Sequence, residues 1–299
     1  MEKIKLLKKI EELYRNKVNI IEYLKSLNAE KANDLESILI SYDFQAGSYT
    51  KNAEINSEYI NQYTGSLANV INNLGDFNSI MEVGVGEATT LGNLLKKLSK
   101  KVNAYGFDIS WSRLYYATQY LKKLQISDCN LFIGDLFNCP VLDNSIDIVY
   151  TSHSIEPNGG KEKEALVELY RISSKYLVLL EPAYDFASEE GKARMNKNGY
   201  ITKLYETAKE LNFNIIEHRL FNVCSNPLNP TGLTIIKKEE TEISSKENVF
   251  ACPVTKTPLL KHEDSYYSKE SLLAYPIIKE IPCLLSQNAI IATHFMDKF

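Results

Sequence analysis

Residues 80–92, I-M-E-V-G-V-G-E-A-T-T-L-G, leave little freedom of fold. The apolar lead-in ending at Glu82 reads as a buried parallel strand. Gly84 and Gly86 open a tight turn, and the spacing from Thr89 to Leu98 predicts a helix. A strand–glycine turn–helix unit brings backbone amides up to a nucleotide-like ligand at the helix start. A G-x-G alone is common in turns, so its weight comes from the strands and acidic residues downstream of it.

The next apolar run, V-N-A-Y-G-F-D-I-S, ends near Asp108, 26 positions after Glu82. An acidic residue there suits a bidentate acceptor for two ribose hydroxyls. A helical stretch from Arg113 to Leu124 leads to N-L-F-I-G-D-L, which places Asp135 after a third strand. A fourth strand follows over Ile146–Thr151. K-Y-L-V-L-L-E-P supplies a fifth, ending at Glu181 and stopped by Pro182. The third glycine of the dinucleotide fingerprint is absent from this turn, which disfavours a pyrophosphate-binding dehydrogenase.

In order and spacing, this series resembles the class I S-adenosylmethionine-dependent methyltransferases over roughly residues 60–238. The resemblance implies an α/β fold: a Rossmann-like, seven-stranded, mostly parallel sheet. Its last two strands would be the antiparallel pair F-N-I-I-E-H-R-L-F and L-T-I-I-K-K. It also implies S-adenosyl-L-methionine as cofactor, S-adenosyl-L-homocysteine as product, and no metal. Glu82 would orient the glycine turn and meet the methionine ammonium. Gly84 and Gly86 would give close backbone approach, and Asp108 would bind the ribose. Ile109 would cover an adenine face, with Asp135 and Leu136 at the adenine edge. Glu82 and Asp108 also have a plainer reading, as solvated carboxylates at strand ends.

The flanks divide the chain into 1–56 (an N-terminal helical segment and lid), 57–240 (the methyltransferase domain), 241–250 (a polar linker) and 251–299. Ile4, Leu7, Ile10 and Leu13, then Ile21, Leu24 and Leu27, recur at helical spacing. Residues 42–50, Y-D-F-Q-A-G-S-Y-T, read as a loop. Further helices are expected over about Ser57–Leu74 and Glu189–Leu211. The tail resembles the small zinc-ribbon-derived activator subunit of tRNA and release-factor methyltransferases, through A-C-P-V-T, A-Y-P-I and I-P-C-L-L. Of four metal positions only Cys252 is a cysteine, with Thr255, Ser268 and Ser271 at the others. Hydroxyls do not make a tetrahedral zinc site, so a metal-free α+β domain is expected, packed through Leu259, Leu260, Tyr275, Ile277, Ile281 and Leu284. It would dock on the outer strand of the sheet or on the N-terminal helices.

Acceptor chemistry is sought at the C-terminal edge of the sheet. His153, in S-H-S-I-E-P-N-G-G, is the candidate general base, and Glu156 would orient it or bind the acceptor. Asn158, Glu181, Asn226 and Asn229 are acceptor-binding candidates, with Tyr42, Gln45 and Tyr49 from the lid. Against this, His153 could simply end its strand, and prolines and asparagines are routine turn residues. With 44% hydrophobic residues the chain can fill one large domain and a smaller one; its net charge of −4 and lack of a basic run disfavour nucleic acid. No apolar run reaches membrane-span length, and the N-terminus lacks a signal-peptide core. Five cysteines without a C-x-x-C suggest reduced thiols and a cytoplasmic setting. The expected activity is O- or N-methylation of a small polar acceptor such as a sugar or nucleotide-sugar, with self-association left open. The alternatives are a tRNA or protein methyltransferase, or a catalytically silent methyltransferase-fold scaffold.

Overall fold

A computed structural model of the protein describes residues 2–16, 18, 20, 23, 35–239 and 248–297. The expected residues Ile21, Leu24 and Leu27, and most of the polar linker, lie outside them. Among the described residues four helices precede the sheet: α1 (Glu2–Arg15), α2 (Leu35–Phe44), α3 (Ser48–Ile55) and α4 (Ser57–Asn72). The 42–50 segment is therefore mostly helical, with only residues 45–47 as a turn. Its aromatic and polar composition hides this, because α2 packs through Ile40 and Phe44 against Ile10 and Ile20.

The body alternates strands and helices. In chain order these are β1 (Ser79–Val83), α5 (Thr89–Leu95), β2 (Asn103–Asp108), α6 (Trp111–Lys123), β3 (Cys129–Ile133), β4 (Ile146–Ser152), α7 (Glu162–Ile172) and β5 (Ser173–Pro182). Helices α8 (Glu189–Asn198) and α9 (Leu204–Glu210) follow, where sequence spacing predicts one. Gly199, at φ 70°, caps α8 in the left-handed region and breaks the run. Strands β6 (Ile215–Leu220) and β7 (Thr231–Lys237) complete the body.

The sheet order is β3-β2-β1-β4-β5-β7-β6, parallel except for β7, which runs antiparallel to β5 and to β6. Its central strands are covered on both faces. Ile80, Ile148, Tyr150, Val178 and Leu180 face the side of α4, α5 and α6, whereas Met81, Val149, Leu177 and Leu179 face α7 and α9. The alternation is the period-two signature of strands. Connections leave β1 and β4, neighbours in the sheet, toward opposite sides, so a crevice opens at their C-terminal ends.

The tail folds as a small antiparallel sheet of β8 (Leu260–His262), β9 (Ser265–Ser268), β10 (Leu273–Ile278) and β11 (Ile281–Pro282), with β12 (Ile290–Ile291) also on β10. It seats on the outer strand β3. Cys283 bridges Ile133 in parallel, and the Leu284 amide donates to the Ile133 carbonyl at 3.1 Å. Phe250, placed in the linker by sequence, bridges Val141, and its ring meets Phe132 edge-on at 4.9 Å. Leu259, Tyr275, Ile281 and Leu284 are buried and Ile277 partly so, but Leu260 is exposed, because it alternates with Leu259 at the start of β8. Tail residues join both clusters of the main core rather than forming a core of their own. No helix among the described residues is long and apolar enough to cross a membrane.

Candidate active site

The crevice holds a cavity of about 180 Å³ at the C-terminal ends of β1, β2 and β4. Glu82, Gly84, Gly86, Asp108, Ile109, Asp135 and Leu136 all line it, as do Tyr42, Tyr49, His153 and Asn158. The glycine turn is shaped for a close approach. Gly84 has φ 67°, and a Cβ there would sit 2.3 Å from the Ser154 Cβ, so only glycine lets the segment after β4 come this close to the turn.

Asp108 is buried and spends one lone pair of each oxygen on the protein. Oδ2 accepts from the Gly86 amide at 3.0 Å, and Oδ1 from the Ser110 amide at 2.9 Å. The carboxylate is thereby fixed with its remaining lone pairs free for a pair of hydroxyls. Burial pushes its pKa up, while Arg113 and the two amides pull it back. Asp135 is held similarly, with Oδ1 accepting from the Phe137 amide at 2.9 Å. Glu82 is more deeply set. Tyr150 donates to it at 2.8 Å, and burial pushes its pKa up to about 8.

The segment expected to form a lid is pinned by carboxylates. Glu87, just past Gly86, accepts from the amides of Gly47, Tyr49 and Thr50 at 2.9, 3.1 and 2.7 Å, and so caps the start of α3. Asp43, in α2, accepts from the Ser110 hydroxyl at 2.7 Å and from the Ser112 amide and hydroxyl at 3.1 and 2.9 Å, at the start of α6. Each carboxylate thus satisfies the helix start across the cleft. Neither Glu87 nor Asp43 stands out in the sequence, where both read as ordinary charges. Nor does Arg113, whose guanidinium lies between the rings of Tyr42 and Tyr49 at 4.4 and 4.5 Å.

On the β4 side, His153 has φ 56°, a left-handed conformation unusual for a non-glycine residue. Its Nδ1 lies 2.5 Å from Glu156 Oε2, and its Nε2 lies 2.8 Å from Thr231 Oγ1. An ionised carboxylate only accepts, so Nδ1 carries a proton, and Nε2 is the nitrogen that can take one. Burial lowers the His153 pKa, but Glu156 and Glu181 outweigh it and the net shift is upward. Glu156 is pushed up by burial, yet His153, Tyr200 and Asn229 together hold it below its ordinary value. Asn229 donates to Glu156 at 3.3 Å.

The remaining candidates stand apart. Glu181 accepts from the amides of Ser154, Ile155 and Glu156, so it holds the loop carrying His153 and does not line the cavity. Asn226 closes a local turn onto the Leu228 amide at 3.0 Å, and half-buried Gln45 does not line the cavity either. Cys252 is surrounded by Ser271 and Tyr275 hydroxyls at 3.4 and 3.3 Å. Among the described residues, no group of three or more His, Cys, Asp or Glu is placed to hold a metal.

Residues 80–175 match the family described as Methyltransferase domain, a segment that spans β1 to the start of β5 and carries most of the cavity lining. No curated protein matches the chain. Among solved structures, the fold is similar to magnesium protoporphyrin IX methyltransferase from Synechocystis PCC 6803 with bound SAH, at 15% identity and TM-score 0.47, covering 60% of this chain and 83% of that one. It is similar to a SAM-dependent methyltransferase from Aquifex aeolicus at 17% and 0.45, with coverages of 56% and 87%. A complex containing the Trm112 methyltransferase activator of Haloferax volcanii gives 14% and 0.48, with coverages of 64% and 93%.

Proposed function

We propose that the protein is an S-adenosylmethionine-dependent methyltransferase acting at oxygen or nitrogen of a small polar acceptor, with a hydroxylated sugar-like molecule the class that best suits the hydrogen-bonding side chains of Ser152, His153 and Asn158 in its lining. The observation that carries this reading is the buried Asp108 carboxylate, fixed by the amides of Gly86 and Ser110 with free lone pairs at a glycine turn. The turn suits such a ligand, since Gly84 and Gly86 line the cavity with no side chain of their own. When bound, the cofactor supplies an activated methyl group on a sulfonium, open to direct displacement.

The chain's own contribution is positioning, exclusion of water and handling of one proton. Tyr42 and Tyr49 cover the cavity from the lid. The His153 side chain retains 30% exposure, so it borders open space rather than the closed core. Its Nε2 receives the acceptor proton, and Glu156 at Nδ1 stabilises the imidazolium that forms. In this structure the Thr231 hydroxyl is the hydrogen-bond partner of Nε2.

Titration calorimetry with S-adenosylhomocysteine on wild type and Asp108→Ala tests the reading. Binding that weakens at least tenfold in the variant is expected, since two charge-assisted hydrogen bonds are lost. A folded wild type that binds neither this ligand nor S-adenosylmethionine would overturn it.

A further inference from the structure

Arg113 enters the cavity from an element that the methyltransferase reading does not use. Ser110 caps α6, its hydroxyl accepting from the Arg113 amide at 3.2 Å, which sets Arg113 in the first turn of the helix. The side chain is 6% exposed and runs beneath the lid. Tyr42 and Tyr49 flank its guanidinium, a cation–π sandwich that fixes the plane of the fork. Nε donates to the Tyr42 carbonyl at 3.2 Å. Nη2 is buried and has no hydrogen-bond partner. Nη1 lies 3.4 Å from the point that a Cβ on Gly86 would occupy, which puts this end of the fork against the glycine turn.

A buried guanidinium with donors unspent is costly unless an anion completes it. Asp108 lies close enough to feel the charge, but its carboxylate, held by two amides, makes no hydrogen bond to the guanidinium. Gly86 separates the two groups, donating to Asp108 on one side and lying against Arg113 on the other. A ligand whose ribose rests on Asp108 therefore runs past Gly86 toward the fork. The methyl donor carries one anionic group, the α-carboxylate at the end of its amino-acid arm.

We infer that Arg113, clamped between Tyr42 and Tyr49, is the binding residue for the α-carboxylate of the donor, and that this contact ties the lid to the amino-acid arm. The inference rests on the methyltransferase reading. It makes the arm, as well as the nucleoside, a determinant of affinity. It also gives the tyrosines a purpose beyond packing, because the fork holds its plane only while both rings are in place.

The test compares two probes by titration calorimetry: S-adenosylhomocysteine, and 5′-methylthioadenosine, which keeps the nucleoside and lacks the amino-acid arm. The variant is Arg113→Met, which keeps an apolar stem between the rings and removes the fork. Wild type is expected to favour S-adenosylhomocysteine. The variant should lose roughly tenfold to a hundredfold of that affinity while holding methylthioadenosine within about twofold, as fits a buried charge-assisted hydrogen bond. Arg113→Lys should recover only part of the loss, because an ammonium lacks the fork. Equal weakening of both probes in Arg113→Met would reduce Arg113 to packing and overturn the inference. So would unchanged affinity for both, or a wild type indifferent to the arm. A wild type that binds neither probe would instead remove the methyltransferase reading, and the inference with it.

Discussion

On the proposed methyltransferase reading, with the donor ammonium beside Glu82, cofactor binding should release a proton. Its carboxyl is 3% exposed, and burial pushes the pKa up to about 8. With that value, about 0.9 of the molecules carry the proton at pH 7 and about 0.1 at pH 9. A folded-state pKa above the ordinary carboxylate value means that the folded chain holds a proton which the unfolded chain has given up. Stability therefore falls as pH rises from about 4.5 to 8, by roughly 3 kcal/mol at pH 7, and levels off above pH 8. A donor ammonium beside Glu82 reverses the balance by favouring the ionised form. Binding at pH 7 should then release about 0.9 proton, falling to about 0.1 at pH 9. Calorimetry of S-adenosylhomocysteine in buffers of different ionisation enthalpy measures this number directly. Glu82→Gln, which has no proton to release, should bring it near zero and flatten the pH dependence of the free protein's stability. Buffer-independent binding heat at pH 7 would refute the reasoning, as would equal release by Glu82→Gln.

Three further outcomes are expected. Glu156→Gln should lower the pKa of His153, seen in the ring-proton NMR titration, because the carboxylate that outweighs burial is gone; the stabilisation now lost as pH rises through the raised His153 pKa should shrink with it. Glu87→Ala should leave the amides of Gly47, Tyr49 and Thr50 without their acceptor, destabilising the lid by about 1–2 kcal/mol, with faster hydrogen exchange at those amides as the readout. Phe250→Ala removes a ring packed on Phe132 and Tyr266 and should lower stability by about 3 kcal/mol in a single melting transition, since the tail has no core of its own.

The parts of the molecule that are legible in the sequence are those governed by local rules. Strand periodicity and the two glycines locate β1, the turn and α5, and the spacing of Asp108 and Asp135 puts both at strand ends beside the cavity. The illegible parts depend on contacts between distant segments. Arg113 reads as a solvated cation on an amphipathic helix until the lid folds over it. Glu87 gains its role only when Gly47, 40 positions earlier, arrives. Glu181 reads as an acceptor contact because it ends a strand. It instead serves three amides of the His153 loop, which a left-handed residue bends toward it. The helical content of 42–50 is masked by residues more typical of loops, and tertiary packing overrides them.

The seating of the tail on β3 bears on how the protein ages in solution. An open sheet has two bare edges, and a bare edge is a template for another chain's strand. At one edge β6 shows Ile216 and Leu220, 49% and 44% exposed, although a charged and polar stretch, Glu217–His218–Arg219, separates them. At the other, Leu131, Phe132 and Ile133 form an almost wholly apolar strand with Cys283 and Leu284 against its end and Phe250 over its face. Because the tail shares the core of the body, that strand is uncovered only as the packing they have in common is lost. Resistance to aggregation is then tied to the cooperative stability of tail and sheet together.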